Sequence, residues 1–142
     1  MAKAELTQTL DVSFDKFFDA VTRYENYPQF VTGCKKTEVE RKAPGHSKVK
    51  YTVSMMKDLW YELEHFEDRE KGVISWSLLG SDLLKANKGQ WIIKKLGDQK
   101  IEVTYSIDIE FNISIPSFML NTLVKSSLPS MIKSFADQTK KS

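Results

Sequence analysis

The chain has 142 residues, 41% of them apolar and 28% charged, with a formal net charge of +2. This is the make-up of a globular protein able to close one substantial core, and its near-balance of charge excludes a dominant nucleic-acid function, DNA binding included. A membrane span is excluded as well, because the greasiest stretch near the end, Ile115 to Val124, is short and broken by Pro116, Ser117, Asn121 and Thr122.

Residues 3–11 form a first expected strand, with Ala4, Leu6 and Leu10 inward. Asp11 and Ser13 are plausible caps for a short helix whose apolar stripe is Phe14, Phe17, Phe18 and Val21. A second helical turn is expected over Glu25 to Phe30, where Pro28 is tolerated because it falls in the first turn. Beyond Cys34 the pattern turns extended. Lys35 to Arg41 and Lys48 to Met56 flank the turn Ala43-Pro44-Gly45-His46, and Val49, Tyr51, Val53 and Met55 share a face. Lys57-Asp58 is a second turn, and Trp60 to Glu67 continues the meander until Asp68 to Gly72 closes it. Strand five, Val73 to Leu79, puts Ile74, Trp76 and Leu78 on one side before Gly80-Ser81-Asp82 ends it. Leu83 to Leu96, with Trp91, Ile92 and Ile93, then meets the hairpin turn Gly97-Asp98.

The seventh strand has the clearest alternation in the chain. Ile101, Val103, Tyr105, Ile107, Ile109, Phe111, Ile113 and Ile115 alternate with polar residues, so one face is apolar and the other wet. From Pro116 onward, Leu120, Val124, Leu128, Met131, Ile132 and Phe135 recur at helical spacing. Pro129 inside that segment predicts a kink near Lys125 to Leu128, or two helices in succession. A sheet with one apolar face and an amphipathic helix are complementary surfaces. The reading is therefore α+β: a seven-stranded, strongly curved antiparallel sheet wrapped around a long C-terminal helix, with two short helices after strand one. No repeat, linker or second boundary interrupts it, so residues 1–142 are expected to form one domain.

The order of elements, with Tyr27-Pro28-Gln29-Phe30-Val31, Gly89-Gln90-Trp91 and the run from Val103 through Leu120 and Leu128-Pro129 to Phe135, resembles the START-like or birch-pollen-allergen-like helix-grip superfamily. Within it the chain is most similar to bacterial proteins of the polyketide cyclase/dehydratase and coenzyme Q-binding type, which include a ribosome-association toxin branch. The resemblance covers nearly the whole chain. In the quinone-binding and ribosome-associating branches the first motif usually continues as proline-tryptophan-cysteine; here Thr32, Gly33 and Cys34 stand in those places, and only the cysteine is kept.

Few residues point to chemistry. His46 falls in an expected turn, facing solvent, whereas His65 shares a strand face with Tyr61 and Leu63 and would suit proton transfer if that face borders a pocket. Two histidines without Cys or carboxylate ligands at suitable spacing imply no metal site, and no phosphate-binding glycine loop or GxSxG elbow occurs, so no cofactor is expected. Cys34 is expected to be packing. Asp108 and Glu110 should lie in solvent, and Glu62 and Glu64 likewise unless the strand presents its other face, with Trp60 and Phe66, inward. No nucleophile, base and orienting group come together, so no catalytic residue is assigned.

The aromatic and methionine residues are more informative. By the resemblance, Tyr51, His65, Trp76, Trp91, Tyr105, Phe118, Met131 and Phe135 would wall a cavity between the sheet and the terminal helix. Such a pocket suits a hydrophobic small molecule such as a lipid, isoprenoid or polyketide, with tyrosine hydroxyls orienting it, although a filled core uses the same residues. The alternatives are a small cyclase or dehydratase using His65, Tyr51 and Glu64, and weak ribosome or RNA contact through Lys94, Lys95, Lys100, Lys125, Lys133, Lys140 and Lys141. The charged start, MAKAELTQTL, shows no secretory signal, and a lone cysteine suits a reducing cytoplasm, where a monomer or weak dimer is expected.

Overall fold

The computed structural model describes residues 2–31, 33–54, 58–112, 114 and 128–140. The elements are β1 (Ala2–Leu10), α1 (Phe14–Thr22), a 3-10 turn (Tyr24–Asn26), α2 (Tyr27–Phe30), β2 (Cys34–Ala43), β3 (His46–Ser54), β4 (Asp58–Asp68), β5 (Val73–Ser81), β6 (Leu84–Gly97), β7 (Lys100–Phe111) and α3 (Leu128–Thr139). The strands make one curved sheet in the order β1-β7-β6-β5-β4-β3-β2, with every neighbour antiparallel. The expected helix-grip architecture is the one observed.

Consecutive strands β1 and β2 lie at opposite edges of this sheet, so the chain between them has to cross its full width. The helical segment makes that crossing. Ser13 caps α1 by accepting the Lys16 amide (3.2 Å), and Phe17, Phe18, Ala20 and Val21 turn inward. Arg69, from the turn after β4, ion-pairs with Asp15 and Asp19 and lies over the Phe18 ring at 4.4 Å, which clamps α1 to the sheet. The remaining strands follow as a meander. Pro44 and Gly45 form a two-residue turn in which Gly45 takes φ +80°, a conformation that costs glycine nothing.

Side-chain alternation sorts as expected. Val49, Tyr51 and Val53; Leu59, Leu63 and His65; Ile74 and Trp76; Trp91 and Ile93; Ile101, Val103, Tyr105 and Ile109 are all buried. Trp60 and Phe66, 37% and 47% exposed, settle the ambiguity in β4: their face is outward. α3 buries Leu128, Ile132, Phe135 and Ala136, and Met131 is partly buried beside them.

Several boundaries differ from expectation. His46 is not in a solvent-facing turn; it opens β3, stacked on Phe66 at 4.7 Å and 2.9 Å from Glu64, because the two-residue turn lets the strand pair start immediately. Asp58 begins β4 opposite Ser54 instead of completing a turn, while Met55, Met56 and Lys57 lie outside the described residues. β5 continues through Gly80 and Ser81, which pair with Glu62 and Tyr61 after an irregularity in the ladder. β7 stops at Phe111, its last partner being Leu84, although the apolar alternation runs on. Ile113, Leu120, Val124 and the predicted kink before Leu128 fall outside the described residues.

Two glycines test the packing of the sheet. A Cβ on Gly89 would sit 2.2 Å from the Ser106 carbonyl oxygen and 2.6 Å from the Trp76 ring, whereas one on Gly97 meets nothing closer than Lys100 Cβ at 4.0 Å. Gly89→Ala is therefore expected to cost about 2–3 kcal/mol in urea unfolding, and Gly97→Ala to stay within about 0.5 kcal/mol of wild type.

Candidate functional site

Period-two alternation delivers one aromatic or histidine side chain after another to the inner face of the sheet: Tyr51 from β3, Tyr61 and His65 from β4, Trp76 from β5, Trp91 from β6 and Tyr105 from β7. They form a continuous ring-to-ring series. Tyr61 stacks on Tyr51 (5.2 Å), Tyr51 meets His65 edge-on (6.0 Å), His65 lies 6.1 Å from Trp76, and Trp76 and Trp91 lie 5.4 and 4.8 Å from Tyr105. The helical side closes over it through Phe135, only 1% exposed, with Trp91, Phe17, Tyr27 and Phe30 within 6.4 Å.

Of the sequence-predicted residues, then, Tyr51, His65, Trp76, Trp91, Tyr105 and Phe135 converge, and Met131 packs against the same core. Phe118 lies outside the described residues. Sequence reasoning left out Tyr24, Tyr27, Tyr61, Asn87 and Glu67 as site residues. Strand parity could have found Tyr61 and Glu67, since both alternate in step with Leu63 and His65. Asn87 carried the same signal, four residues before Trp91 on β6, whereas Tyr24 carried none because it sits in a 3-10 turn.

The polar groups in this interior are partly committed. The Tyr51 hydroxyl and His65 Nε2 share a hydrogen bond of 2.9 Å, and the Trp76 indole donates to Asn87 Oδ1 at 3.0 Å. Tyr24 stacks on His65 at 4.4 Å and donates to Glu67 at 2.5 Å, and the Tyr27 hydroxyl donates to the Val21 carbonyl. His65 Nδ1 is buried without a partner among the described residues. Burial pushes the imidazole down to about 3, so it stays neutral at ordinary pH and is a weak base. The hydroxyls of Tyr51, Tyr61 and Tyr105 are pushed up by the same burial, which keeps them protonated donors. Burial also raises the Cys34 thiol, which argues against a reactive thiolate.

Glu64 does not join Tyr51 and His65. It lies on the outer face against His46, and Glu62 pairs there with Lys48 at 3.7 Å. Among the described residues no group of three His, Cys, Asp or Glu side chains could hold a metal. Two surface clefts are walled mostly by other residues: one of about 300 Å³ between α1 and α3, with Lys16, Asp19 and Arg23, and an open groove of about 700 Å³ with Lys3, Lys88 and Asp108, which Trp76 of the aromatic series also borders. Their charged walls suit solvent better than an apolar ligand.

Residues 10–136 match the model of the family described as polyketide cyclase / dehydrase and lipid transport. The chain belongs to that family. Solved structures agree on the fold of this cyclase/dehydrase family member. The Zhui aromatase/cyclase from Streptomyces sp. R1128 superposes with a TM-score of 0.85 at 14% identity, covering 98% of this chain and 93% of that one. A START superfamily protein from Mycobacterium smegmatis gives 0.84 at 17% identity, covering 98% and 97%. The major latex-like protein 151 of Panax ginseng gives 0.70 at 16% identity, covering 98% and 99%. No curated protein sequence matches the chain.

His65 makes the cyclase/dehydrase family member sensitive to acid. Its folded pKa of about 3 lies below the ordinary histidine value of 6.5, so the unfolded chain takes up a proton first as pH falls. Stability is full above about pH 6.5 and drains towards pH 3 at up to about 1.4 kcal/mol per pH unit for this group. Urea unfolding of His65→Gln between pH 7 and 4 should show a slope shallower by about one proton; a slope equal to that of wild type would place the acid sensitivity elsewhere.

Proposed function

We propose that the protein binds a nonpolar small molecule, such as a lipid, isoprenoid or polyketide-like ring system, between the sheet and the terminal helix. In this reading residues 1–142 act as one binding domain in the cytoplasm, as a monomer or weak dimer. The observation that carries it is the run of rings on the inner face of the sheet, Tyr51, His65, Trp76, Trp91 and Tyr105, with Phe135 of α3 against Trp91 above it, so that any hollow between sheet and helix would be walled by rings. Family membership supports the same reading, since the family description joins cyclase/dehydrase chemistry with lipid transport. The solved aromatase/cyclase similar in fold adds a relative for which a ring-forming activity is named.

Burying ligand surface in such a hollow is favourable by about 25 cal/mol per Å², so a ligand covering roughly 300 Å² gains on the order of 7 kcal/mol before the costs of association. Among the described residues no helix is long and apolar enough to cross a membrane. The free, buried Cys34 suits a reducing compartment.

A cyclase or dehydratase is the second reading, favoured by one contact: Tyr51 and His65, two of the three suspected residues, do meet at 2.9 Å. Against turnover stands the same histidine's weak basicity, since general-base catalysis works best with a pKa near the working pH. Ribosome contact draws less support. Lys133 is paired with Asp137 at 3.0 Å, and Lys94 and Lys95 are ordinary exposed residues on β6.

Native mass spectrometry of protein purified from its own host should show a bound nonpolar species of a few hundred daltons. Tyr105→Trp and Met131→Trp, which fill the interior from the sheet and the helix sides, should abolish its retention while leaving the circular dichroism spectrum unchanged. A wild-type protein that carries nothing and binds no member of a lipid and polyketide panel would end the binding reading.

A further inference from the structure

The cleft of about 300 Å³ between α1 and α3 is built on one face of a helix. Lys16, Asp19, Ala20 and Arg23 follow one another at helical spacing along α1, and Asn26 from the 3-10 turn, Phe30 from α2 and Gln138 from α3 complete the wall. Its four donor side chains are uncommitted. Lys16, Arg23, Asn26 and Gln138 make no side-chain hydrogen bond or ion pair among the described residues; the first three use only backbone groups in their turns. The one carboxylate in the wall is already taken. Asp19 is held by Arg69, which reaches it from the turn after β4 and holds Asp15 as well.

This wall is rich in donors and short of acceptors. Its side chains carry two positive charges and one negative, so a single bound negative charge completes the balance. Of the three arginines in the chain, Arg41 is paired with Glu25 and Arg69 with Asp15 and Asp19, whereas Arg23 has no carboxylate. A guanidinium fork matches the two oxygens of a carboxylate, and the amides of Asn26 and Gln138 donate to its remaining lone pairs. Lys16 and Arg23 stand about 10 Å apart along the helix, a span that two long side chains close around one anion. Ala20 and Phe30 make the rest of the wall apolar, and Phe30 is held from behind by Tyr27 at 6.0 Å and Phe135 at 5.0 Å. The volume is at the small end of ligand pockets, which fits a small molecule and not a stretch of another chain.

We propose that this cleft is a binding site for a small organic monoanion, a carboxylate on an apolar ring-sized body, with Arg23, Lys16, Asn26 and Gln138 meeting the charge and Ala20 and Phe30 the body. The site is separate from the interior between sheet and helix and does not rest on the binding reading above.

The probes are 2-naphthoate, uncharged 2-naphthol and bare acetate, titrated at pH 7 and low ionic strength into the isotope-labelled full chain. 2-Naphthoate should shift the side-chain amide signals of Asn26 and Gln138 in nuclear magnetic resonance spectra, and added salt should weaken it. At these two signals 2-naphthol, without the charge, and acetate, without the apolar body, should each bind at least about tenfold more weakly. Lys16→Gln and Arg23→Gln should each weaken 2-naphthoate by about threefold to fivefold, the worth of one exposed charge pair. Lys94→Gln, which removes the same charge from β6, should bind it like wild type. The proposal is overturned if 2-naphthoate leaves both amide signals in place, if either other probe shifts them at the same concentrations, or if Lys94→Gln weakens binding as much as the cleft variants do.

Discussion

Everything in this molecule depends on how Phe135 is covered. The ring comes from α3 and is enclosed by Trp91 from β6, Phe17 from α1, and Tyr27 and Phe30 from α2, all with tilted or edge-on geometry. This one side chain thus joins the terminal helix, both short helices and the middle of the sheet. Deleting a buried phenylalanine of this kind typically costs about 3–5 kcal/mol, a large part of the stability of a protein of this size. The sheet alone could not supply that enclosure. Its inner face is concave and aromatic, and only helices packed across it shield that face from water.

The same enclosure sets the chemistry of the interior. Once the helices exclude water, each polar group on the inner face must find a partner or bear the cost of isolation. Tyr51 and His65 satisfy each other, Trp76 uses Asn87, and Tyr24 uses Glu67. Burial then drives the histidine towards neutrality and the phenols towards permanent protonation, so these groups stay uncharged and the phenols remain hydrogen-bond donors. That combination follows from desolvation alone.

Much of the site could be read from parity. Tyr51, Trp76 and Tyr105 alternate with polar residues and lie on the face that the structure buries, whereas Trp91 is followed by Ile92 and His65 by Phe66, so for these two the pattern left the inward face open. Parity also contained Tyr61 and Glu67, yet composition gives no reason to prefer a tyrosine or a strand-end glutamate over its neighbours. Glu67 matters because Tyr24 and Ser47 reach it from other elements. The pairing of Tyr51 with His65 has a similar origin, since it depends on the β3–β4 register, in which Ser47 and not Tyr51 stands opposite His65.

The sequence by itself determined the number and order of the strands, the inward face of most of them though not of β4, the short helices after β1 and the apolar stripe of the terminal helix. These are local properties, written in periods of two and 3.6 and in the residues that make turns. Tertiary structure decided where pairing starts and stops, and which inner groups meet. His46 belongs to β3 because Glu67 and Phe66 stand ready to pair and stack with the turn, and β7 ends at Phe111 because Leu84 is its last partner. A hydrogen bond across strands and a pKa set by burial are sums over residues far apart in the chain, so no local pattern encodes them.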